Sequence, residues 1–467
     1  MGASEETTVS LTGQTESIVE TRSARRRRIA RQVFMVLGAC FCYVALAICA
    51  AWPNPAIPDL LRHNTTIYGT PMTLTSWQLD MLGSMVSLGN IPGTWLWGFL
   101  VAAIGRKKAI MLLVVPYTLG WCLVALAVNP AMLLAGRVVH GLCIGATFIA
   151  GSTYIIELPD TAVRGALAAL PSLILSTGFI LTTGLGLVLR WYEIAIVGVA
   201  IIVAQTCVMS FLPESPSYLA ISGREEEAMR VLRDLRGPSA DVGELVRILK
   251  ESNKASAKEP LHKVMRNPAI FKALATVLTL FFVQNFCGLM VFYVNMTRIF
   301  IEAGSTLDES VATILVFLVQ SVGTALACLY LDRFGRRTCL MFSLAVMSVC
   351  LLAMGTYHFL SGTGGRESYT WVPLVCLMVY MFASSSGTGP IPSILNSEYY
   401  PTAVRSQLSG LCMGIGSIMN FAVLQLYSPL VTVLTNAGLF WFYAVVSCFG
   451  ILFTAVCVRE TKGRAVG

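Results

Sequence analysis

Carboxamide side chains stand inside apolar runs in the C-terminal half of this chain, among them Gln284 and Asn285, Gln320, and Asn420. An amide donates and accepts hydrogen bonds without carrying charge, and taking one into lipid is costly unless it finds a partner. Such groups recognise neutral, hydroxyl-rich solutes, whose C–H faces lie against aromatic rings. Each is therefore a candidate functional residue, weighed against an interhelical hydrogen bond worth about 0.6 kcal/mol. No nucleophile paired with a base, phosphate loop or metal-ligand spacing accompanies them. The sequence predicts no enzyme, no metal and no cofactor.

The surrounding chain is one that lipid would solvate. Its 467 residues are 55% hydrophobic and 12% charged, with mean hydropathy +0.71, whereas a soluble domain carries about 25% charged residues. The fourteen cysteines fall mostly in apolar runs without paired spacing, and read as small buried hydrophobes. A helix needs about 20 apolar residues to cross a bilayer. Twelve segments qualify: 32–52, 80–103, 108–128, 131–155, 165–189, 191–212, 269–297, 308–331, 337–360, 371–397, 404–428 and 436–458.

This spacing predicts an all-α membrane protein of twelve transmembrane helices in two pseudo-symmetric six-helix bundles, with a short helical cytoplasmic domain. The boundaries are a tail at 1–31, a bundle at 32–212, a linker at 213–268, a second bundle at 269–458 and a tail at 459–467. The net charge of +8 reads as membrane orientation and not as a nucleic-acid partner. Arginines at 25–28, Arg31, Arg106, Lys107, Lys108, Arg333, Arg336, Arg337 and the linker share one side; the other holds Arg62, Arg190, Arg298 and Arg366. Both termini are expected to be cytoplasmic. The sequon Asn64-Thr65-Thr66 then falls in the first external loop, as a candidate glycosylation site.

A short phrase occurs twice. Residues 157–165 read ELPDTAVRG and residues 398–406 read EYYPTAVRS. Gly105-Arg106 is echoed by Gly335-Arg336, and Glu214 by Glu460. Parallel repeated halves are how one class of secondary transporters is built. Arg106, Glu157, Arg164, Glu214, Asp332, Arg336, Glu398, Arg405 and Glu460 are expected on the cytoplasmic face. There they would form a weak latch between the halves when the outside is open, separating when the inside is open. Ala102 and Ala103 stand where the second copy has Asp332 and Arg333, so the first latch is thinner.

Five stretches resemble the sugar porter branch of the major facilitator superfamily: PESPSYL at 213–219, SGREEEAMRVLRDLRG after it, LDRFGRR at 331–337, GTGPIPS at 387–393 and ETKGR at 460–464. The resemblance covers nearly everything from Gln32 to Arg464, and WPNPAIPDL and RGALAALPS are most similar to the insect facilitated trehalose transporter group. It implies a sugar site. Helix seven resembles the family pattern QQxSGxN: Gln284 matches, Asn285 is a shortened amide, and Met290 has lost the polar group. Gln320 occupies the family's helix-eight amide position. Ser172 stands where many glucose carriers have Gln, and Ser393 where the family has Trp; Ser385 joins them as a candidate. Gly387, Pro390 and Pro392 should break helix ten, and Phe292 and Tyr293 are expected as an outer gate.

The first helix holds no acid, and Asp80, Glu193 and Asp332 lie near helix ends, so no proton carrier is expected in the pathway. Arg137 and His140, one turn apart on helix four, are placed toward the external end; for His140 a hydrogen bond inside the bundle is expected, with titration as the alternative. The resulting expectation is a monomeric, plasma-membrane facilitative carrier of trehalose or a hexose. Two alternatives stay open: a same-fold carrier whose substrate is not a sugar, since Met290 and Ser393 remove two contacts, and a non-transporting nutrient sensor.

Overall fold

The computed structural model describes residues 22–160, 163, 167, 169–237, 242–255, 267–304, 307–361, 370–400 and 405–460. Among these the chain is helical apart from turns and one β-bridge between Thr65 and Pro71. The first half supplies α1 (Arg22–Ala51), α2 (Pro53–His63), α3 (Ser76–Ile104), α4 (Arg106–Leu112), α5 (Val114–Ala125) and α6 (Pro130–Ala146). A π-helical turn, Thr147–Gly151, leads to α7 (Ser152–Glu157), followed by α8 (Leu170–Leu185) and α9 (Trp191–Ser210). The linker holds α10 (Pro216–Ile221), α11 (Glu225–Arg236) and α12 (Val242–Ala255). In the second half come α13 (Pro268–Phe286), α14 (Leu289–Ala303), α15 (Glu309–Phe334) and α16 (Arg336–Ser361). They are followed by α17 (Val372–Ser386), α18 (Ile391–Glu398), α19 (Arg405–Gln425) and α20 (Tyr427–Cys457).

Ten stretches among the described residues are long and apolar enough to cross a membrane, against the twelve expected. Two segments account for the difference. α3 has the length, at 29 residues, but carries Gln78, Asp80, Ser84, Ser87 and Asn90. α8 is apolar but only 16 residues long. Arg164 lies outside the described residues.

Helix starts follow local chemistry. Thr75 and Gln78 form a reciprocal cap that opens α3, Thr75 Oγ1 accepting from Gln78 N–H at 3.3 Å and Gln78 Oε1 from Thr75 N–H at 3.0 Å. The Asp308 carboxylate accepts from the N–H groups of Ser310 and Val311, at 2.9 and 3.2 Å, and opens α15. Such a cap is worth about 1 kcal/mol.

The repeated glycines end α3 and α15 with φ of 99° at Gly105 and 89° at Gly335, a region other residues avoid. A Cβ on Gly105 would lie 2.5 Å from Glu214 Oε2, and one on Gly335 2.6 Å from Glu460 Oε2. Glu214 accepts from the N–H groups of Arg106 and Lys107 at 3.0 and 2.9 Å. Glu460 accepts from Arg336 and Arg337 at 3.0 and 3.1 Å. Both acids thus satisfy the orphan first-turn donors of the next helix, with their charge on the positive end of its dipole.

Two large apolar cores form, one mainly within the first half and one mainly in the second that also takes in Ala47, Ala51 and Phe179. Trp52, Tyr117, Trp121, Tyr154 and Trp191 are buried in the first, and Phe292, Tyr380, Phe440 and Tyr443 in the second. The linker helices form a smaller core from Leu219, Ala220, Leu232 and Val246. That linker is tied to α1 through Asp160, just beyond α7, which pairs with Arg28 and Arg236 and accepts from Gln32 Nε2 at 3.2 Å. Burial pushes the Asp160 carboxyl up, but Arg236, Gln32 and Arg28 together hold it below its ordinary value.

Candidate functional site

Two membrane-depth helices are broken side by side. The first break separates α13 from α14 at Cys287 and Gly288, where Gly288 takes φ 94°. A Cβ there would sit 2.7 Å from Tyr443 Cδ2, so the tyrosine ring packs directly on the turn. Tyr380 Oη donates to the freed Cys287 carbonyl at 3.0 Å. The second break, at 387–390, separates α17 from α18, as Gly387, Pro390 and Pro392 foretell. Gln284 Nε2 donates to the carbonyls of Thr388 and Gly389, at 3.0 and 2.8 Å. Ser343 completes the repair, its Oγ accepting from Thr388 N–H at 3.2 Å and donating to the Ala383 carbonyl at 2.8 Å. Irregular backbone survives at this depth only when its polar groups are matched in this way.

The expected solute contacts are dispersed. Gln284 is buried, with its donor engaged by the helix-ten break. Asn285 is also buried and turns its donor back on the Phe281 carbonyl of its own helix, at 2.8 Å. Gln320 Nε2 donates to Tyr293 Oη, and its Oε1 is buried without a partner among the described residues. Asn420 Oδ1 is buried and unpartnered in the same sense. Ser385 donates to the Phe382 carbonyl at 2.7 Å, Met290 packs against the second core, and Ser393 is exposed on α18. Ser172 borders a cavity of about 170 Å³ with Tyr43, Phe148, Ser152, Ile155 and Leu175. All residues lining that cavity come from the first half, so it does not join Ser172 to the amides of the second.

The two expected gate residues part company. Consecutive helical positions point about 100° apart. Phe292 turns into the second core, its ring centroid 4.7 Å from that of Tyr380 and 6.3 Å from that of Tyr443. It is a packing residue and not a gate. Tyr293 faces the other half: its ring lies 5.4 Å from that of Phe179, and its carbonyl accepts from Asn54 Nδ2 at 2.8 Å.

The halves are joined along α3. Asp80 accepts from Ser428 N–H at 2.9 Å, Ser84 Oγ donates to Gln425 Oε1 at 2.6 Å, and Asn90 Nδ2 donates to Ser417 Oγ at 2.9 Å. Asp80 lies in the second turn of α3, near a helix end as expected, and is only 2% exposed, with Arg298 of α14 at 2.8 Å.

On the opposite side the repeated charges close within each half. Arg106 meets Glu157 at 3.1 Å, and Arg336 meets Glu398 at 3.5 Å. Each of these two pairs lies within one half, and Glu214 and Glu460 cap helices. Arg405 and Asp332 are placed by backbone alone, at the start of α19 and in the last turn of α15. Arg137 is 1% exposed, donates to the carbonyls of Leu82 and Cys49, each at 2.8 Å, and lies 5.3 Å over the Trp52 ring. His140 rests on Trp121, ring centroids 4.3 Å apart. Sequence reasoning missed Asp160 altogether, although it stands inside the repeated phrase.

The family model described as "Sugar (and other) transporter" matches residues 56–466. The facilitated trehalose transporter Tret1 of Bombyx mori is 32% identical over 412 residues, covering 88% of this chain and 81% of the relative. Tret1 of Apis mellifera ligustica is 29% identical over 443 residues, covering 94% and 87%. Among solved structures, the xylose transporter XylE of E. coli in a partially occluded inward-open conformation matches with TM-score 0.78 at 19% identity, covering 93% of this chain and 100% of that one. XylE, titled a major facilitator superfamily proton:xylose symporter, bound to 6-bromo-6-deoxy-D-glucose, matches at 0.75 and 20% identity, covering 94% and 98%. The structural likeness carries the fold: an all-helical, multi-pass major facilitator arrangement. With broken helices stitched at its centre and a family match running through both halves, this chain belongs to the sugar (and other) transporter family.

Proposed function

We propose that this chain is a facilitative, uncoupled carrier of a sugar, trehalose or a hexose, working by alternating access in the plasma membrane with both termini cytoplasmic. The observation that carries the reading is the pair of broken helices beside buried neutral amides, Gln284 and Gln320, in a member of this family. In this reading residues 32–212 and 269–458 are the two moving bodies, and the helical linker at 213–268 lies in the cytoplasm. Polar ties along α3 and α19 hold the external side closed, and the charges at Glu157, Arg164, Glu398 and Arg405 meet across the halves once the external side opens. Asn420, Ser172 and Ser385 complete the solute path, and Asn64, exposed at the end of α2, accepts a glycan.

The absence of coupling rests on Arg137. Its guanidinium faces backbone carbonyls and an aromatic ring, with no carboxylate against it among the described residues. A proton relay needs a titratable partner at such a site. Tracer uptake with trehalose, glucose and a polyol panel tests the proposal. Saturable sugar uptake, insensitive to a protonophore, is expected; a substrate-evoked inward current would overturn the uncoupled mechanism, and polyol-only uptake would overturn the sugar.

A further inference from the structure

The external end of the seam between the halves holds a charged cluster. Asp80 Oδ1 accepts from Arg298 at 2.8 Å and from Ser428 Oγ at 2.9 Å. Arg298 also donates to Glu302 Oε1 at 3.0 Å and to Ser428 Oγ at 3.1 Å, and its guanidinium lies 4.9 Å over the Tyr427 ring. Tyr427 Oη donates to Glu302 Oε2 at 3.0 Å. The Asp80 side chain is 0% exposed and that of Arg298 12%. One further ion pair among the described residues joins the halves, Arg62 with Glu309, and its arginine is 56% exposed and so screened by solvent.

The other ties on α3, at Ser84 and Asn90, are neutral, and water replaces such bonds at little cost. Separating Asp80 from Arg298 is different, because each charge must be rehydrated or left without its partner. We propose that Asp80 and Arg298 are positioning residues that hold the external gate shut and set how readily this carrier opens outward. The inference rests on the transport reading above.

The geometry makes the two residues unequal. Neutralising Asp80 leaves Arg298 compensated by Glu302. Neutralising Arg298 leaves Asp80 buried with no counter-charge, so the closed state loses more. Removing both charges at once leaves neither orphaned.

The test is labelling from outside. Ser87 is buried and lies on the same face of α3 as Asp80 and Ser84, by the i, i+4, i+7 spacing. A cysteine there (S87C) reports external opening to a membrane-impermeant maleimide on intact cells, with the chain lacking S87C as blank. Labelling in D80N is expected to rise by roughly fivefold or more, in R298Q at least as much, and in D80E scarcely at all. D80N/R298Q should rise by less than the product of the single effects. Unchanged labelling in D80N, or a double variant equal to that product, overturns the proposal. Should R298Q fail to reach the surface, D80N against D80E still decides. The assay uses no sugar, so absent sugar uptake by the unaltered chain would sink the transport reading and leave the gate result to stand on its own.

Discussion

Gln284 donates its amide to the carbonyl of Gly389 at 2.8 Å, so the residue that reads as a solute contact is also the staple between two broken helices. Q284A would leave the Thr388 and Gly389 carbonyls buried without a donor, at about 1–3 kcal/mol for each. The purified variant should melt at a clearly lower temperature than the parent, and uptake per surface copy should drop by about tenfold. Q284N, one methylene too short, should behave alike. Parent-like melting in both would refute the staple.

Gly105 and Gly335 should prove equivalent. Alanine at either must adopt a positive φ and press against a carboxylate, so each substitution is expected to cost more than about 1 kcal/mol. E214Q and E460Q keep an acceptor oxygen but lose its charge at a helix start, about 0.3–1 kcal/mol. Thermal melts of the four variants check both the order and the symmetry. A large loss at one glycine and none at the other would show that the repeat is not structural.

Asp160 ties α1 to the linker and has its carboxyl held below the ordinary range. A depressed acid contributes stability that is complete above its unfolded value, about 3.9, and is lost as pH falls through the lower, folded value. The tether should therefore be unchanged by acidification to about pH 5. D160N should release it at neutral pH. A spin-label distance between the start of α1 and α11 reads this directly; a parent that loosens between about pH 7 and 5 contradicts the assignment.

Arg137 NH1 lies 3.8 Å from Cys49 Sγ, close enough for an acid at 49 to meet it. C49D would place a titratable carboxylate against the buried cation. Uptake by the parent should be flat over about pH 5 to 8, whereas C49D should acquire a pH-dependent rate. A pH-dependent parent would point to a proton carrier elsewhere.

How much could be read in advance depended on how far each contact reaches. The helix-ten break was readable because Gly387, Gly389, Pro390 and Pro392 crowd into one short stretch. The helix-seven break was not: Gly288 is a single glycine in an apolar run, which helices commonly tolerate at about 1 kcal/mol. Glu214 and Glu460 were singled out because they recur, but repetition alone could not tell a cap from a latch. The partnership of Asp80 with Arg298 left no trace, since no periodicity links α3 to α14. Phe292 and Tyr293 are neighbours of similar chemistry, and only the packing of α14 assigns one to the core and the other to the seam.

Glu214 and Glu157 meet Arg106 in the first half, and Glu460 and Glu398 meet Arg336 in the second, so each half carries its own copy of this charged cluster. A polypeptide severed between residues 255 and 267 would therefore yield two fragments that each keep one copy of this cluster. The embedded polar edge of α3 against α19 is a surface that would draw such fragments back together.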